Sequence, residues 1–517
     1  MYNSKNKQTF FNGAAWLTIS TVILKVIGLV YKIPLFYLLG EEGMGYFNSA
    51  YTVYTFFYII GSSGIPKAIS LLITKNEAEG NKETESVFYS TSCVLSVFGL
   101  LITAILVLLS VPISGLIGNI NSVYSIVAIS PSVFLVTISG GLRGYYSGKM
   151  NFLPIAVSEL ISGLLKLFLG LLFAYLAYEN SCDLPIISAY AIFGITIGSF
   201  FSFVFLAVYK RKFKSKDSRH FNFYHVVPVL KLAAPITVAT ALGAVVNLID
   251  LGMIINGLKR SGYSATLSTA LYGNYTTLSI PMFSMVTMLL NPICTAAMPF
   301  FTERYSLRDI KGFRESITTS SKIIAFITFP CFFAFLAFPS EILTVIFDRE
   351  SAVLGASYLA ALSPAVICFG FLMLTNTVLE SAEKVKAATL SLCVGTVLKA
   401  LISITLISNE SFGLLAAPIG TVLSYLVSFL ISYPIMRISL NIKLEFKNTI
   451  SYFLSSIFAV IPACIIRELN FVFDVRLKCI LILTFFAFLY LAIVMFFSKE
   501  DIKKAILLVK MYKKKSR

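Results

Sequence analysis

The chain has 517 residues, 57% hydrophobic and 13% charged, with 42 lysines and arginines against 25 acids and a formal net charge of +17. A soluble domain carries about 25% charged residues, so one large water-soluble core is excluded, and apolar runs long enough to cross a bilayer recur along most of the length. The positive excess is what basic loops at one membrane face produce, so it does not call for nucleic acid as a partner.

In chain order, the first apolar run follows Lys5 and Lys7. It is too long for a signal-peptide core and lacks a small-residue cleavage site, which predicts a retained helix. Fourteen spans are predicted, at 13–39, 46–74, 86–112, 122–142, 152–178, 185–209, 229–256, 266–298, 318–338, 353–379, 386–408, 412–436, 449–468 and 478–497. An even number puts both termini on one side. That side would hold Lys75, Lys82, Arg143, Lys149, the basic cluster from Lys210 to Arg219, the group from Arg304 to Lys322, then Lys384, Lys386, Arg437, Lys443, Lys447 and the tail from Lys499. The opposite side would hold only Lys259, Arg260, Arg349, Arg467, Arg476 and Lys478. The bias predicts a multi-pass protein of the cell membrane with both termini in the cytoplasm.

The longest polar break, YKRKFKSKDSRHFNFYH at 209 to 225, falls between the sixth and seventh spans. It divides the chain into an N-terminal lobe at 1–209, a basic cytoplasmic linker at 210–228 and a second six-helix lobe at 229–437. A helix pair at 438–497 and a basic tail at 498–517 follow. The second span of each half carries a late proline, in Ile65-Pro66-Lys67 and Asn291-Pro292-Ile293. The expected architecture is all-α integral membrane: fourteen transmembrane helices, with two six-helix lobes related by a pseudo-two-fold along the membrane normal, plus the C-terminal pair. Transporters use such parallel repeats to build a central site.

Eight ionisable residues lie inside the predicted spans: Lys25, Lys32, Lys67, Glu159, Lys166, Lys231, Asp250 and Lys399. Each costs roughly 2.5–3.5 kcal/mol at mid-bilayer, so such residues face a cavity or a partner. Lys231 and Lys67 sit near helix ends, where a lysine can snorkel to the interface. Lys25 is about ten residues from either end of its span, roughly 15 Å, too far for that escape. Lys32, seven residues on, returns to nearly the same face and extends a ladder predicted to point into water. Glu159 and Lys166 repeat the seven-residue spacing on the fifth span and are expected to pair with neighbours across helices. Asp250 is a candidate for charge balance or for binding a coupling proton or Na⁺. Lysine binds phosphate as a point charge, so a cavity lined by Lys25, Lys32, Lys67, Lys166 and Lys399 would select an anion. Export of that anion from the negative cytoplasm gains about 2.3 kcal/mol per charge per 100 mV.

The eight cysteines form no C-x-x-C pair, and His220 and His225 have no ligand spacing around them, so no metal or cofactor is expected. Gly194 and Gly198 stand at the spacing of close helix packing. No nucleophile with its base and no phosphate-cradling glycine loop is visible, which argues against an enzyme.

Two stretches resemble a known family. LLGEEGMGYFNSAYTVYTFFYIIGSSGIPKAISLLI at 38 to 73 and LRGYYSGKMNFLPIAVSEL at 142 to 160 are similar to the stage V sporulation protein B group of polysaccharide transporters. That group belongs to the MOP flippase superfamily, with the MATE exporters and MurJ-like flippases. The resemblance implies an alternating-access flippase for an undecaprenyl-pyrophosphate-linked sugar, such as a peptidoglycan precursor used in spore cortex synthesis. It implies coupling to Na⁺, H⁺ or the membrane potential, membrane lipids as surroundings and cell-wall synthesis enzymes as partners. Lys25 in Lys25-Val26-Ile27-Gly28 matches a basic position that lines the head-group cavity of MurJ-like members, and Lys166 a position where the group often carries arginine. Arg143, in the second motif, would sit in a cytoplasmic gate loop. Departures are an acid expected near Lys32, a basic residue expected around Tyr275 and Thr276, and an acid expected at Ser162 instead of Glu159. The last two helices would form a lipid-tail groove. Two alternatives stay open: a MATE-like ion-coupled exporter of small cations, centred on Asp250 and Glu159, and a non-transporting scaffold for cell-wall enzymes.

Overall fold

A computed structural model describes residues 4–79, 83–212, 221–407, 409, 412–469 and 474–497, all of them helical or connecting, with no strand among them. Most of the predicted linker cluster and the basic tail lie outside the described residues, as do the side chains of Lys5 and Lys7. The chain forms two compact units, Met1–Gly273 and Asn274–Arg517.

In the first unit, α1 (Ser4–Ser62) carries the first predicted span and most of the second, separated at Gly40. Gly40 has φ 62° and ψ −172°, a combination open to glycine, so the helix is broken where the sequence predicts a connection. A bend at Ser63 leads into α2 (Gly64–Glu79), and α3 (Thr84–Leu108), α4 (Ser110–Ile117), α5 (Val123–Gly148), α6 (Leu153–Glu179) and α7 (Leu184–Lys212) follow. Next come α8 (Val226–Arg260) and α9 (Ala265–Asn274). Their core joins Ile65, Ile69 and Ile73 of α2 to Leu95, Leu142, Tyr145 and Tyr146, and it includes Val229 and Ala233 of α8.

The division between units therefore falls later than the expected linker at 210–228. The cause is the packing of α8: a Cβ on Gly64 would lie 2.4 Å from the Ala233 carbonyl oxygen, so α2 and α8 meet backbone to backbone. Asn256 donates to the Leu116 carbonyl (2.8 Å), and the Lys259 ammonium reaches the Gly118 carbonyl. Small residues set the other close contacts. A Cβ on Gly194 would fall 2.4 Å from Gly170 Cα, and one on Gly198 would fall 2.5 Å from the Ser162 carbonyl, so the predicted glycine pair holds α7 to α6.

In the second unit, a π-helical turn at Tyr275–Ser279 opens α10 (Ile280–Ser306), which is followed by α11 (Ile310–Ala337) and the short α12 (Pro339–Thr344). Then come α13 (Arg349–Ser381), α14 (Val385–Ile407), α15 (Ala416–Leu440), α16 (Ile450–Glu468) and α17 (Val475–Phe497). The π turn is fastened to α13, with Asn274 donating to the Ser351 carbonyl and Ser279 to the Gly355 carbonyl, both at 3.0 Å. The final pair leans on α11, where Tyr490 donates to the Phe326 carbonyl at 2.8 Å and Phe453 packs edge-on against Phe329.

Among the described residues, twelve helical stretches are long and apolar enough to cross a membrane. Ser20–Glu77 is one of the twelve and contains the first predicted span from residue 20 onward and the whole of the second, while the span predicted at 229–256 falls in α8, whose beginning belongs to the shorter apolar stretch Phe223–Thr237. The chain is thus a multi-pass membrane protein. Prolines lie inside these helices, among them Pro34, Pro131, Pro292 and Pro364, and at the last of them the freed Ala360 carbonyl accepts from the Ser363 hydroxyl at 2.7 Å.

Candidate functional site

The site grows from the register of α1 on α6. A Cβ on Gly163 would meet Leu24 Cδ2 at 2.3 Å, and one on Gly170 would meet the Tyr31 hydroxyl at 2.7 Å. Leu24 and Tyr31 are seven residues apart, as are Gly163 and Gly170, so the two helices run side by side over two turns. Tyr31 is 1% exposed, and its hydroxyl donates to the Ala191 carbonyl of α7 at 2.9 Å. One tyrosine therefore locks three helices.

Around that lock the structure gathers two of the predicted lysines. The Lys166 ammonium of α6 lies over the rings of Tyr31 (5.2 Å to the centroid) and Tyr51 (5.1 Å). Lys32, next to Tyr31, donates to Asn48 Oδ1 at 3.4 Å, beyond the Gly40 break, and feels the charge of Lys166. Two ammonium groups thus lie within electrostatic reach of each other in a membrane-spanning bundle, and aromatic faces that favour cations flank that of Lys166.

Arg143 and Glu159 form a second cluster. Arg143 lies inside α5, which runs on to Gly148, and not in the expected gate loop; its side chain is 15% exposed. The glycines after Arg143 serve packing: a Cβ on Gly144 would lie 2.8 Å from the Pro66 carbonyl, and one on Gly148 2.7 Å from Ile73 Cβ. Arg143 Nη1 faces Glu159 Oε1 of α6 at 3.6 Å, so the predicted pairing of Glu159 across helices takes this form.

The other candidates are dispersed. Lys25 and Lys67 have exposed side chains, Asp250 is half-buried on α8 within electrostatic reach of Tyr272, and Lys399 is half-buried on α14 in the second unit. Lys231 is exposed. Sequence reasoning missed Tyr31, Asn48 and Tyr51. The available signals were the Tyr31-Lys32 neighbour pair and the three-residue spacing of Asn48 and Tyr51, which puts both on one face. It also missed Glu85, 1% exposed, which accepts from Lys210 at 3.0 Å and from the Tyr145 hydroxyl at 2.7 Å.

Comparison with known proteins gives this arrangement a family. The family model described as polysaccharide biosynthesis protein matches residues 10–304, and the MatE model matches residues 276–405. The chain is 25% identical over 445 residues to the lipid II flippase MurJ of Bacillus subtilis (strain 168), covering 81% of each protein. It is 22% identical over 471 residues to stage V sporulation protein B of the same organism, covering 89% of this chain and 88% of that one. A solved structure of MurJ in an inward closed conformation superposes with a TM-score of 0.73 at 15% identity, over 94% of this chain and 99% of that one, so the fold is shared. With more than half of its length matched by the family model, the chain belongs to the polysaccharide biosynthesis protein family.

Proposed function

We propose that this chain is an alternating-access flippase moving an anionic undecaprenyl-pyrophosphate-linked sugar from the cytoplasmic to the outer leaflet. The cargo is a peptidoglycan precursor such as lipid II, or a related polysaccharide unit, with a place in spore cortex synthesis. The observation that carries this reading is the convergence of Lys32 and Lys166 beside Tyr31 and Tyr51. Two like charges held together in a membrane-spanning bundle repel each other, and a multivalent anion turns that cost into binding energy. The similarity to a lipid II flippase and to stage V sporulation protein B supports the same cargo class. Both termini lie in the cytoplasm, where the basic loops concentrate, and outward movement of the anion is driven by the membrane potential or by an Na⁺ or H⁺ gradient.

The test is translocation of a fluorescent lipid-linked pyrophosphate sugar in proteoliposomes. Lys166→Ala and Lys32→Ala are each expected to slow it by about tenfold, the worth of one charge-assisted contact, and Lys166→Glu to abolish it. Wild-type translocation by the double alanine variant, with normal folding, would overturn the proposal. The MatE match over residues 276–405 favours a second reading, a MATE-like ion-coupled exporter of small cations. Cation efflux that depends on Asp250 and ignores both lysines would select it.

A further inference from the structure

The cluster at Arg143 has features that a structural ion pair does not require. Its contact with Glu159 is 3.6 Å, within charge reach but longer than a hydrogen bond, and Arg143 Nε is buried and makes no hydrogen bond among the described residues. A guanidinium offers five donors in a fixed fork that matches a phosphate or carboxylate bidentately; Arg143 also shares a hydrogen bond with Tyr58, but its Nε edge is left unmatched inside a membrane-spanning helix. Glu159, at 26% exposure, is the more accessible partner and the one that can withdraw toward water.

The cluster is also in register with the lysine site. Glu159 and Lys166 are seven residues apart on α6, and Tyr58 and Tyr51 are seven apart on α1. Lys166 lies over Tyr51, and Arg143 adjoins Tyr58. The two cationic positions are therefore separated by about two helical turns, roughly 10.5 Å along the helix axis. Between them run Tyr51, Tyr54 and Tyr58, with successive ring centroids 5.9 Å and 5.6 Å apart.

We propose that Arg143 is a second phosphoryl-binding position on the substrate's path, occupied in the empty protein by the Glu159 carboxylate as a stand-in that an arriving phosphoryl group displaces. The ligand class is a phosphate or pyrophosphate ester, and the assignment rests on the flippase reading above for its source. Exchange of one anion for another leaves the guanidinium compensated throughout and lets the phosphoryl group pass between Arg143 and the Lys32–Lys166 pair without an interval in bulk hydrocarbon. Glu159 thus sets how tightly the first position holds its ligand.

The experiment is binding of inorganic pyrophosphate and of farnesyl pyrophosphate to the full chain in lipid nanodiscs. Glu159→Gln removes the competing charge while keeping the shape and is expected to tighten binding by about tenfold, while Arg143→Ala weakens it by a similar factor. A merely structural pair would weaken binding in both single variants, whereas a competing carboxylate gives opposite signs, and in the Arg143→Ala background Glu159→Gln should have no effect. Arg143→Lys, with melting temperature as a folding control, should restore part of the affinity. A response to both probes assigns the site to the phosphoryl group itself, and a response to farnesyl pyrophosphate alone assigns it to lipid-linked ligands; each supports the proposal. Binding that is lost in Lys166→Ala but unmoved by Glu159→Gln and Arg143→Ala would overturn the second position and leave the flippase reading standing. Failure of the wild type to bind either probe at millimolar concentration would overturn both.

Discussion

Replacing Glu85 by alanine should be among the most damaging single changes in the first unit. The carboxylate is almost fully enclosed, 2% exposed as a side chain, against a Lys210 side chain that is 11% exposed, with Nζ and Oε2 at 3.0 Å. The Lys210 ammonium also lies 3.4 Å from the centroid of Phe88 and 4.4 Å from that of Tyr145, while the Tyr145 hydroxyl donates to the second carboxylate oxygen. Glu85→Ala takes this carboxylate from a desolvated ammonium and the acceptor from a buried hydroxyl; loss of one partner of such a pair costs about 3–5 kcal/mol. Lys210→Ala should cost a similar amount by stranding the carboxylate. Replacing both by apolar residues of similar volume, Glu85→Leu with Lys210→Met, removes both desolvation penalties and should cost less than either single change. The assay is equilibrium unfolding of the purified protein in mixed micelles, read as a double-mutant cycle. Single variants that lose less than about 1 kcal/mol, or a double variant that loses the sum of the two, would refute the reasoning. The consequence reaches beyond stability. Asn222 donates its backbone N–H to Ser90 Oγ at 2.8 Å, so both flanks of residues 213–220 end on the first turns of α3. Loosening Glu85 releases the fastening at Lys210.

The remaining predictions concern the α1–α9 contact and one helix cap. A Cβ on Gly45 would lie 2.3 Å from the Thr269 carbonyl oxygen, and one on Gly273 1.9 Å from that of Glu41, backbone atoms that cannot turn aside. Gly45→Ala or Gly273→Ala should therefore cost about 1–3 kcal/mol in unfolding measurements, whereas Gly115→Ala, with nothing within 4 Å of the new carbon, should show no such overpacking; equal losses at all three would sink the argument. Asp309 caps α11 by accepting from the Gly312 N–H at 2.9 Å and also contacts Arg304. These partners, the Gly312 N–H first, hold its carboxyl below the usual carboxylate range. A depressed folded value means that the cap's contribution is complete above the unfolded pKa of about 3.9 and fades as the pH falls through the folded value. Asp309→Asn, which keeps a capping oxygen but cannot titrate, should flatten that part of the acid limb in a stability-against-pH profile, and an unchanged limb would contradict the assignment.

The apolar runs were legible because a membrane leaves the backbone few options, and span periodicity survives without knowledge of partners. What could not be read locally was which helix each charge would meet. The depth argument favoured Lys25, yet Lys32 is the lysine that converges with Lys166, because Gly163 and Gly170 decide where α1 lies on α6. The resemblance of 142 to 160 puts Arg143 in a loop; the glycines beside it instead let α5 approach α2 closely, and the helix continues. Glu85 carries no local sign of its role, because its partner is 125 residues away. A contact of that separation leaves no periodic trace.

The placement of Lys166 nevertheless follows from a pattern on α6 alone, once the glycines are given their role. Gly163 and Gly170 form the seam that receives Leu24 and Tyr31, while Glu159 and Lys166 stand four residues before them. Four residues turn a helix by about 400°, so the charged positions sit only about 40° from the glycine seam. They are thereby carried to the edge of the α1 interface, where the faces of Tyr31 and Tyr51 are available to Lys166. The small residues that let the helices approach are thus also what brings the cation against the rings. A side chain at Gly163 would have to displace Leu24, and the shift would move α1, Tyr31 and Lys32 together relative to Lys166. Packing and charge placement on this helix are one constraint, and the seven-residue period shared by both pairs is its signature in the sequence.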